Sequence, residues 1–141
     1  MISKREILNV MQIKLESLNL FQTIRQLENA GSDLNLLEKL PDLTLFPAAI
    51  LMVRQSERQD RHLGSMQVDL VVIGQYFGLE NERTACETLQ ETVEDAFSQT
   101  SCIDFDNRGQ VLVLFNEIVP LTLGSEYLAW NFSLEVKILN Y

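Results

Sequence analysis

The chain has 141 residues, of which 46% are hydrophobic and 22% are charged, a composition typical of one globular domain with a substantial core. Eleven basic and twenty acidic residues give a formal net charge of −9. This acidity argues against a nucleic-acid-binding protein, which normally presents a basic patch, and against tight binding to anionic membranes. We therefore treat residues 1–141 as a single domain and expect no specific nucleic-acid partner and no membrane partner.

Cysteine content and the N-terminal sequence bear on where the protein is found. Cys86 and Cys102 are the only two cysteines, too few for the disulfide framework of a small secreted domain. The N-terminal residues mix charged and apolar side chains without a signal-peptide block, and no apolar run is long enough to cross a bilayer. These features predict a protein that is made and kept in a reducing cytoplasm until it assembles.

The first part of the chain predicts one helix followed by short elements. Ser3 and Glu6 have the spacing of a capping box, in which the hydroxyl caps the helix and the carboxylate reaches back. Apolar residues at helical spacing follow, so we predict a helix over residues 4–18. Residues 20–28 predict a short strand, and residues 34–40 predict a helical turn that ends at the following proline.

The segment after Pro47 predicts a strand that runs out into a polar loop. That loop contains Arg54, Glu57, Arg58, Asp60, Arg61 and His62. Residues 66–72 then alternate between apolar and mostly polar side chains, as in a half-buried strand. We therefore expect a hairpin whose two strands are joined by a long polar loop.

Residues 80–98 change to a helical period. Ala85, Leu89, Val93 and Phe97 lie four residues apart, with Cys86 and Ala96 beside them, which predicts an apolar stripe on an amphipathic helix and Cys86 as a small core residue. The opposite face carries one basic and six acidic residues: Arg83, Glu80, Glu82, Glu87, Glu91, Glu94 and Asp95. Six negative charges and one positive charge mean that this helix contributes −5 of the net −9.

The last third of the chain predicts two strands and their turns. Residues 106–109 (DNRG) predict a tight turn. A strand over residues 111–115 follows, and we expect Pro120 to distort or end its continuation. Residues 128–139 alternate between apolar and mostly polar side chains, as in an antiparallel strand with one face on the core.

This order of elements, with short turns near residues 62 and 107, favours antiparallel neighbours. We predict an α+β fold: a mostly antiparallel sheet with the N-terminal helix and the central amphipathic helix packed on one face. The opposite face of such a sheet is only lightly charged, with Gln67, Asn131 and Ser133 among its side chains. That face would suit contact with another protein subunit.

A search for catalytic, cofactor and metal motifs finds none. His62 would have to serve any Ser-His-acid triad, but neither Ser56 nor Ser65 lies in a nucleophile-elbow sequence. Two cysteines and one distant histidine do not supply a zinc site, and residues 104–109 depart from a calcium loop at two ligand positions. We therefore predict no catalysis, no cofactor and no bound metal.

Glu87, Glu91 and Glu94 share one helix face at three- and four-residue spacing. A di-metal site would add Glu-x-x-His motifs from facing helices, and the chain has none. Like charges at this spacing repel and prefer water, so we interpret the face as solvated and able to dock onto a basic neighbour. A carboxylate-only active site is the one enzymatic alternative.

The order and pattern of these segments resemble the tail-terminator, or tail-completion, proteins of long-tailed bacteriophages. The resemblance covers essentially the full chain, is closest to the minor tail proteins of Mu-like phages and prophages, and extends distantly to the lambda U protein. The segments that carry it are the opening helix REILNVMQIKLESL, the proline-led strand FPAAILMVRQ with its polar loop, the strand SMQVDLVVIGQY, the acidic helix NERTACETLQETVEDAF and the closing strand YLAWNFSLEVKIL.

This resemblance implies a structural role without catalysis or cofactor. Such proteins form a ring, usually a hexamer, on the end of the completed tail tube, and they stop tube polymerisation. They present a surface to the neck or head connector, and DNA passes through the ring without being bound. The implied partners are further copies of the chain, the tail tube protein and head–tail connector proteins. The implied location is the cytoplasm of the bacterial host during assembly and then the virion tail.

Ring subunits need heterologous, head-to-tail contacts between copies. The candidate residues for such a contact are three arginines of the polar loop and three glutamates of the acidic helix: Arg54, Arg58, Arg61, Glu87, Glu91 and Glu94. A solvated loop is the alternative for the arginines. For the whole protein the alternatives are another neck or tail ring protein, or a cytosolic adaptor that docks a basic partner through the acidic helix.

Overall fold

The structure is a computed structural model that describes residues 1–27 and 43–141. Within those residues the chain forms two helices and one six-stranded sheet. The elements are α1 (Lys4–Ser17), β1 (Thr23–Leu27), β2 (Ala48–Arg58), β3 (Leu63–Gln75), α2 (Glu80–Phe97), β4 (Ser101–Asp104), β5 (Gly109–Leu121) and β6 (Tyr127–Asn140). The helical turn predicted for residues 34–40 lies outside the described residues.

The strands are ordered β1-β2-β3-β6-β5-β4 across the sheet. β1 pairs with β2 in parallel, and every other neighbouring pair is antiparallel. Apolar residues of α1 and α2 join alternate residues of the sheet in one buried cluster, which places both helices on the same face. The predicted α+β fold, a mostly antiparallel sheet with the N-terminal and central helices on one side, is therefore confirmed.

Helix α1 begins where its sequence predicts. The Ser3 hydroxyl accepts a hydrogen bond from the Glu6 backbone N–H at 3.1 Å, which satisfies one of the free donors of the first turn. The Glu6 carboxylate accepts a hydrogen bond from the Ser3 hydroxyl at 3.2 Å and forms an ion pair with Arg108 at 2.5 Å. The first turn of α1 is thereby joined to the turn between β4 and β5.

Helix α2 packs through Cys86, Leu89, Val93 and Phe97. The predicted stripe was wrong at its first member, because Ala85 is exposed and Cys86 is buried in its place. The reason is the close approach of the helix to β3: a Cβ atom built on Gly74 would lie 2.5 Å from the Cys86 Sγ. Glycine at position 74 leaves the room that the thiol occupies.

Replacing Gly74 with alanine should therefore cost about 1–3 kcal/mol of unfolding free energy, because the added methyl group overpacks the contact with Cys86. In a Cys86→Ala background the same substitution should cost markedly less, since the clashing sulfur atom is gone. Urea unfolding of the four proteins of this double-mutant cycle measures the difference. An equal cost in both backgrounds would show that the glycine is needed for another reason.

The predicted long polar loop between the first hairpin strands was wrong. β2 continues to Arg58 and β3 begins at Leu63, so only residues 59–62 form the turn. Arg54 lies inside β2 at a β-bulge, where the pairing with β3 shifts register. Alternating apolar residues reveal only the buried part of a strand. The exposed part of β2 keeps its backbone pairing but has few apolar side chains, so its sequence resembles a loop.

Asp60 closes this short turn. Its carboxylate accepts hydrogen bonds from the backbone N–H groups of His62 at 2.6 Å and Leu63 at 2.8 Å. These two backbone hydrogen bonds lower the pKa of Asp60 below its ordinary value. Aspartate commonly stabilises turns through such bonds to following backbone groups, and here it defines the tip of the hairpin.

Strand β3 is buried on both faces over much of its length, not on one face as its alternation predicts. Asp69, Val71 and Ile73 point away from the helices and are nevertheless buried. A second apolar cluster covers that face at one end of the sheet. Its buried members are Leu43, Ala48, Ile50, Met52, Val71, Ile73, Leu123 and Ala129.

The last strands agree with the sequence in part. The predicted turn at residues 106–109 is confirmed, and it joins β5 to the four-residue strand β4, which the sequence did not predict. Pro120 does not end β5, and the irregularity in its pairing with β6 lies at Asn116 instead. β4 pairs only with residues 110–113, so Pro120 lies where β5 is an edge strand and its missing N–H breaks no pairing.

Candidate functional site

Two ends of the sheet carry the candidate surfaces. At the first, which we call the hairpin end, the β2–β3 turn, the β4–β5 turn and residues 137–141 come together. The hairpin end holds six of the eleven Lys and Arg residues: Lys4, Arg5, Arg58, Arg61, Arg108 and Lys137. Five acids also lie there, and one of them, Glu6, is paired with Arg108: Glu6, Glu57, Asp60, Asp104 and Asp106.

The second surface, the acidic end, lies at the other end of β3. It consists of the loop of residues 76–79, the first turn of α2 and Glu126, whose carbonyl oxygen accepts a hydrogen bond from the Tyr76 N–H at 2.8 Å. Glu80 and Glu82 lie in that first turn, where carboxylates are favoured by the helix dipole.

Arg54 does not lie with the other two predicted arginines. Its Nε atom forms an ion pair with Asp69 at 2.5 Å, on the sheet face away from the helices. The Asp69 side chain is 3% exposed and that of Arg54 is 36% exposed. Burial raises the pKa of Asp69, and the Arg54 charge opposes that shift. The Arg54 charge thus compensates a buried carboxylate within the chain. Arg54 is therefore no longer a candidate for a contact between copies.

Arg58 and Arg61 are exposed at the hairpin end, as an intermolecular contact requires. Arg58 lies at the last position of β2, where its Nε donates to the Asp60 carbonyl oxygen at 3.3 Å. Arg61 lies in the turn. The Nδ1 atom of the neighbouring His62 is 3.1 Å from the Asn140 carbonyl oxygen, so the one histidine joins the hairpin tip to β6.

The three predicted glutamates lie on the solvent side of α2, but they are not equivalent. Glu87 and Glu91 are exposed. Glu94 is half-buried and accepts a hydrogen bond from the Gln90 side chain at 3.0 Å. Beside them, burial and the charges of Glu82 and Glu87 raise the pKa of the Cys86 thiol, which disfavours its reactive thiolate form.

Sequence reasoning missed an apolar feature at the acidic end. Phe77 is 60% exposed and Leu79 is 58% exposed, on either side of Gly78, whose φ of +94° suits glycine. Arg83 stacks over the Tyr76 ring at 4.8 Å and donates to its hydroxyl at 3.1 Å. A four-residue link between a strand and a helix is too short to show periodicity, so only the glycine indicated a special backbone there.

A groove at the hairpin end was also missed. It opens on the sheet face away from the helices and encloses about 490 Å³. Leu63, Leu112 and Leu139 line it together with Cys102 and Lys137. Leu63 and Leu139 are directly paired across β3 and β6, and they remain 41% and 40% exposed.

Across residues 1–27 and 43–141, no group of three or more His, Cys, Asp or Glu residues could hold a metal ion. Neither helix in that part of the chain is long and apolar enough to cross a bilayer. No protein-family profile matches the chain, and no curated protein matches it.

Proposed function

We propose that the chain is a structural subunit of a bacteriophage tail: a tail terminator of the Mu-like minor tail type, without catalysis or cofactor. In this role, copies of the chain form a ring that caps the tail tube, stops its polymerisation and joins it to the head or neck. The protein assembles in the bacterial cytoplasm and ends in the virion tail. Tail tube and connector proteins are its other partners.

The observation that carries the proposal is the separation of two exposed arginines, Arg58 and Arg61, from the exposed carboxylates of α2. Arg58 and Arg61 lie at the hairpin end, whereas α2 begins beyond the opposite end of β3. Gly64 and Gln75 of β3 lie about 36 Å apart at the usual rise per strand residue. A contact between two such different surfaces is heterologous, and when its rotation closes, it generates a ring.

The net charge supports the same role. A ring through which DNA passes freely should not present a basic bore to the phosphate backbone. The chain's charge of −9 suits such a passage. The sheet face away from the helices offers a further surface for neighbouring subunits around Gln67, Ser133 and Glu135, which are at least partly exposed.

Ring formation is tested directly with the purified chain. At high protein concentration and low salt, we expect electron microscopy to show closed rings and native mass spectrometry to show one mass, six times that of the chain. Raising the salt from about 0.05 to 0.5 M should dissociate the rings, because exposed charges are screened within a few ångströms. A monomer or a two-fold dimer at every concentration would contradict the proposal.

A second candidate function is an adaptor that docks a basic partner through α2. It is favoured by one observation: the helix has six acidic residues, and its single cation, Arg83, is already held by Tyr76. An adaptor of this kind would be a monomer or simple dimer, and replacing Arg58 and Arg61 would leave its assembly unchanged. A different neck or tail ring protein would form the same ring but would bind connectors rather than the end of the tube.

A further inference from the structure

Strand β5 has a free edge along its second half. β4 pairs only with residues 110–113 of β5, and within residues 1–27 and 43–141 no strand pairs with the same side of residues 114–121. At the usual rise per strand residue, this edge is about 27 Å long. The unpaired backbone N–H and C=O groups of such an edge are a template for pairing with a strand of another chain.

The side chains along this edge favour such pairing. Phe115, Ile118 and Leu121 are only partly buried, and Val119 is 41% exposed. Strands are enriched in aromatic and β-branched residues, and an exposed apolar edge strand is a common site of aggregation. The only charge among these residues is that of Glu117. The edge therefore needs some feature that keeps copies of the chain from pairing along it.

The direction of the backbone groups shows which residues face the free edge. The Gly109 carbonyl oxygen accepts a backbone hydrogen bond at 2.9 Å from the residue that follows β4, so Gly109 points outward from β6. Alternate residues of an antiparallel strand point their backbone groups to the same side, and Phe115 therefore also points outward. The bulge at Asn116 shifts the pairing with β6 by one residue. Beyond the bulge, the outward residues are Ile118 and Pro120.

We propose that Pro120 and the bulge at Asn116 keep the free edge of β5 from pairing with the β5 edge of a second copy. Pro120 has no N–H, so the last outward position of the edge offers only a carbonyl oxygen. The bulge makes the outward positions uneven, because Ile118 lies three residues after Phe115 whereas Pro120 lies two after Ile118. A regular strand cannot match both spacings. This edge is separate from the charged surfaces assigned to ring contacts, so the inference does not rest on the proposed function.

Replacing Pro120 with valine restores the missing donor and should allow two copies to pair antiparallel about a two-fold axis. Each copy then contributes one further backbone hydrogen bond, so self-association should become about tenfold tighter or more than that of the parent chain. Sedimentation velocity measures this at about 0.5 M salt, where contacts between exposed charges are screened. Deletion of Asn116 removes the bulge by an independent change and should also strengthen association.

The matched control is Pro120→Val/Ile118→Pro, which moves the proline to the other outward position and should associate no more tightly than the parent. Hydrogen exchange identifies the contact, because pairing should slow exchange of the backbone N–H groups at positions 118 and 120 in associated Pro120→Val protein. The proposal is overturned if neither Pro120→Val nor the deletion variant associates more tightly than the parent. Association that leaves those N–H groups unprotected, or equal association of the control, would overturn it as well.

Discussion

Replacing Arg54 with methionine should lower the free energy of unfolding by about 2–4 kcal/mol at neutral pH. Methionine keeps an apolar stem of similar length but leaves the Asp69 carboxylate, 3% exposed, without its ion-pair partner. Removing one partner of a fully buried pair costs about 3–5 kcal/mol. We expect a somewhat smaller loss of unfolding free energy here, because the Arg54 side chain is 36% exposed and the pair is not fully buried.

This loss of unfolding free energy should become smaller as the pH falls. Burial raises the pKa of Asp69 even with Arg54 present, and without Arg54 the pKa rises further. The folded state then binds the proton more tightly than the unfolded state, so ionisation of Asp69 destabilises it. That destabilisation is complete above the folded pKa and disappears below the unfolded pKa of about 3.9, so the difference between variant and parent should shrink as the pH falls towards 4.

Urea unfolding at pH 7 and pH 4.5 measures both effects. Arg58→Met is the matched control: Arg58 is also on β2 but exposed and bonded to a backbone carbonyl. Its substitution should change stability by about 0.5 kcal/mol or less at either pH. A similar small loss for both variants, with no dependence on pH, would mean that the Arg54–Asp69 pair does not stabilise the fold.

Long periodic elements were predictable from the sequence. The capping pattern at Ser3 and the helical spacing after it predict α1, and the four-residue spacing of Leu89, Val93 and Phe97 predicts α2. The alternation over β6 predicts its buried face, with Phe132 and Leu134 inside. In each case the buried apolar residues recur at the spacing of a helix or a strand, and this was enough to predict the fold class.

Other features depend on tertiary contacts that periodicity does not report. Residues 54–58 are polar because they lie on an exposed part of β2, and backbone pairing with β3 makes them a strand. Ala129 is buried on the far face of β6 because a second apolar cluster covers that face. Strand β4 is four residues long, too short for a periodic signal.

The charged residues of the candidate interface could be proposed from the sequence, but their pairing within the fold could not. Charge alone selected Arg58 and Arg61 and the acidic face of α2 as candidates, and the structure leaves Arg58, Arg61, Glu87 and Glu91 exposed. The sequence could not show that Arg54 is paired with Asp69, because the two residues meet only through strand pairing. It also gave no sign of the apolar loop and groove, since exposure is a property of the folded chain.

The most direct test of head-to-tail assembly is a charge exchange between two variants. One carries Arg58→Glu and Arg61→Glu, and the other carries Glu87→Lys and Glu91→Lys, which are exposed positions. Each variant alone should fail to form rings, because like charges then face each other across the contact. Arg25→Glu, an exposed change on β1, controls for charge reversal outside the contact and should leave the rings intact.

Mixing the two variants should restore rings. The reversed tip of the first then meets the reversed helix of the second, and the native tip of the second meets the native helix of the first, so the copies alternate around the ring. Native mass spectrometry of the mixture should show equal numbers of both chains in one closed assembly. A mixture that stays dissociated, or either variant forming rings alone, would contradict head-to-tail assembly through these surfaces.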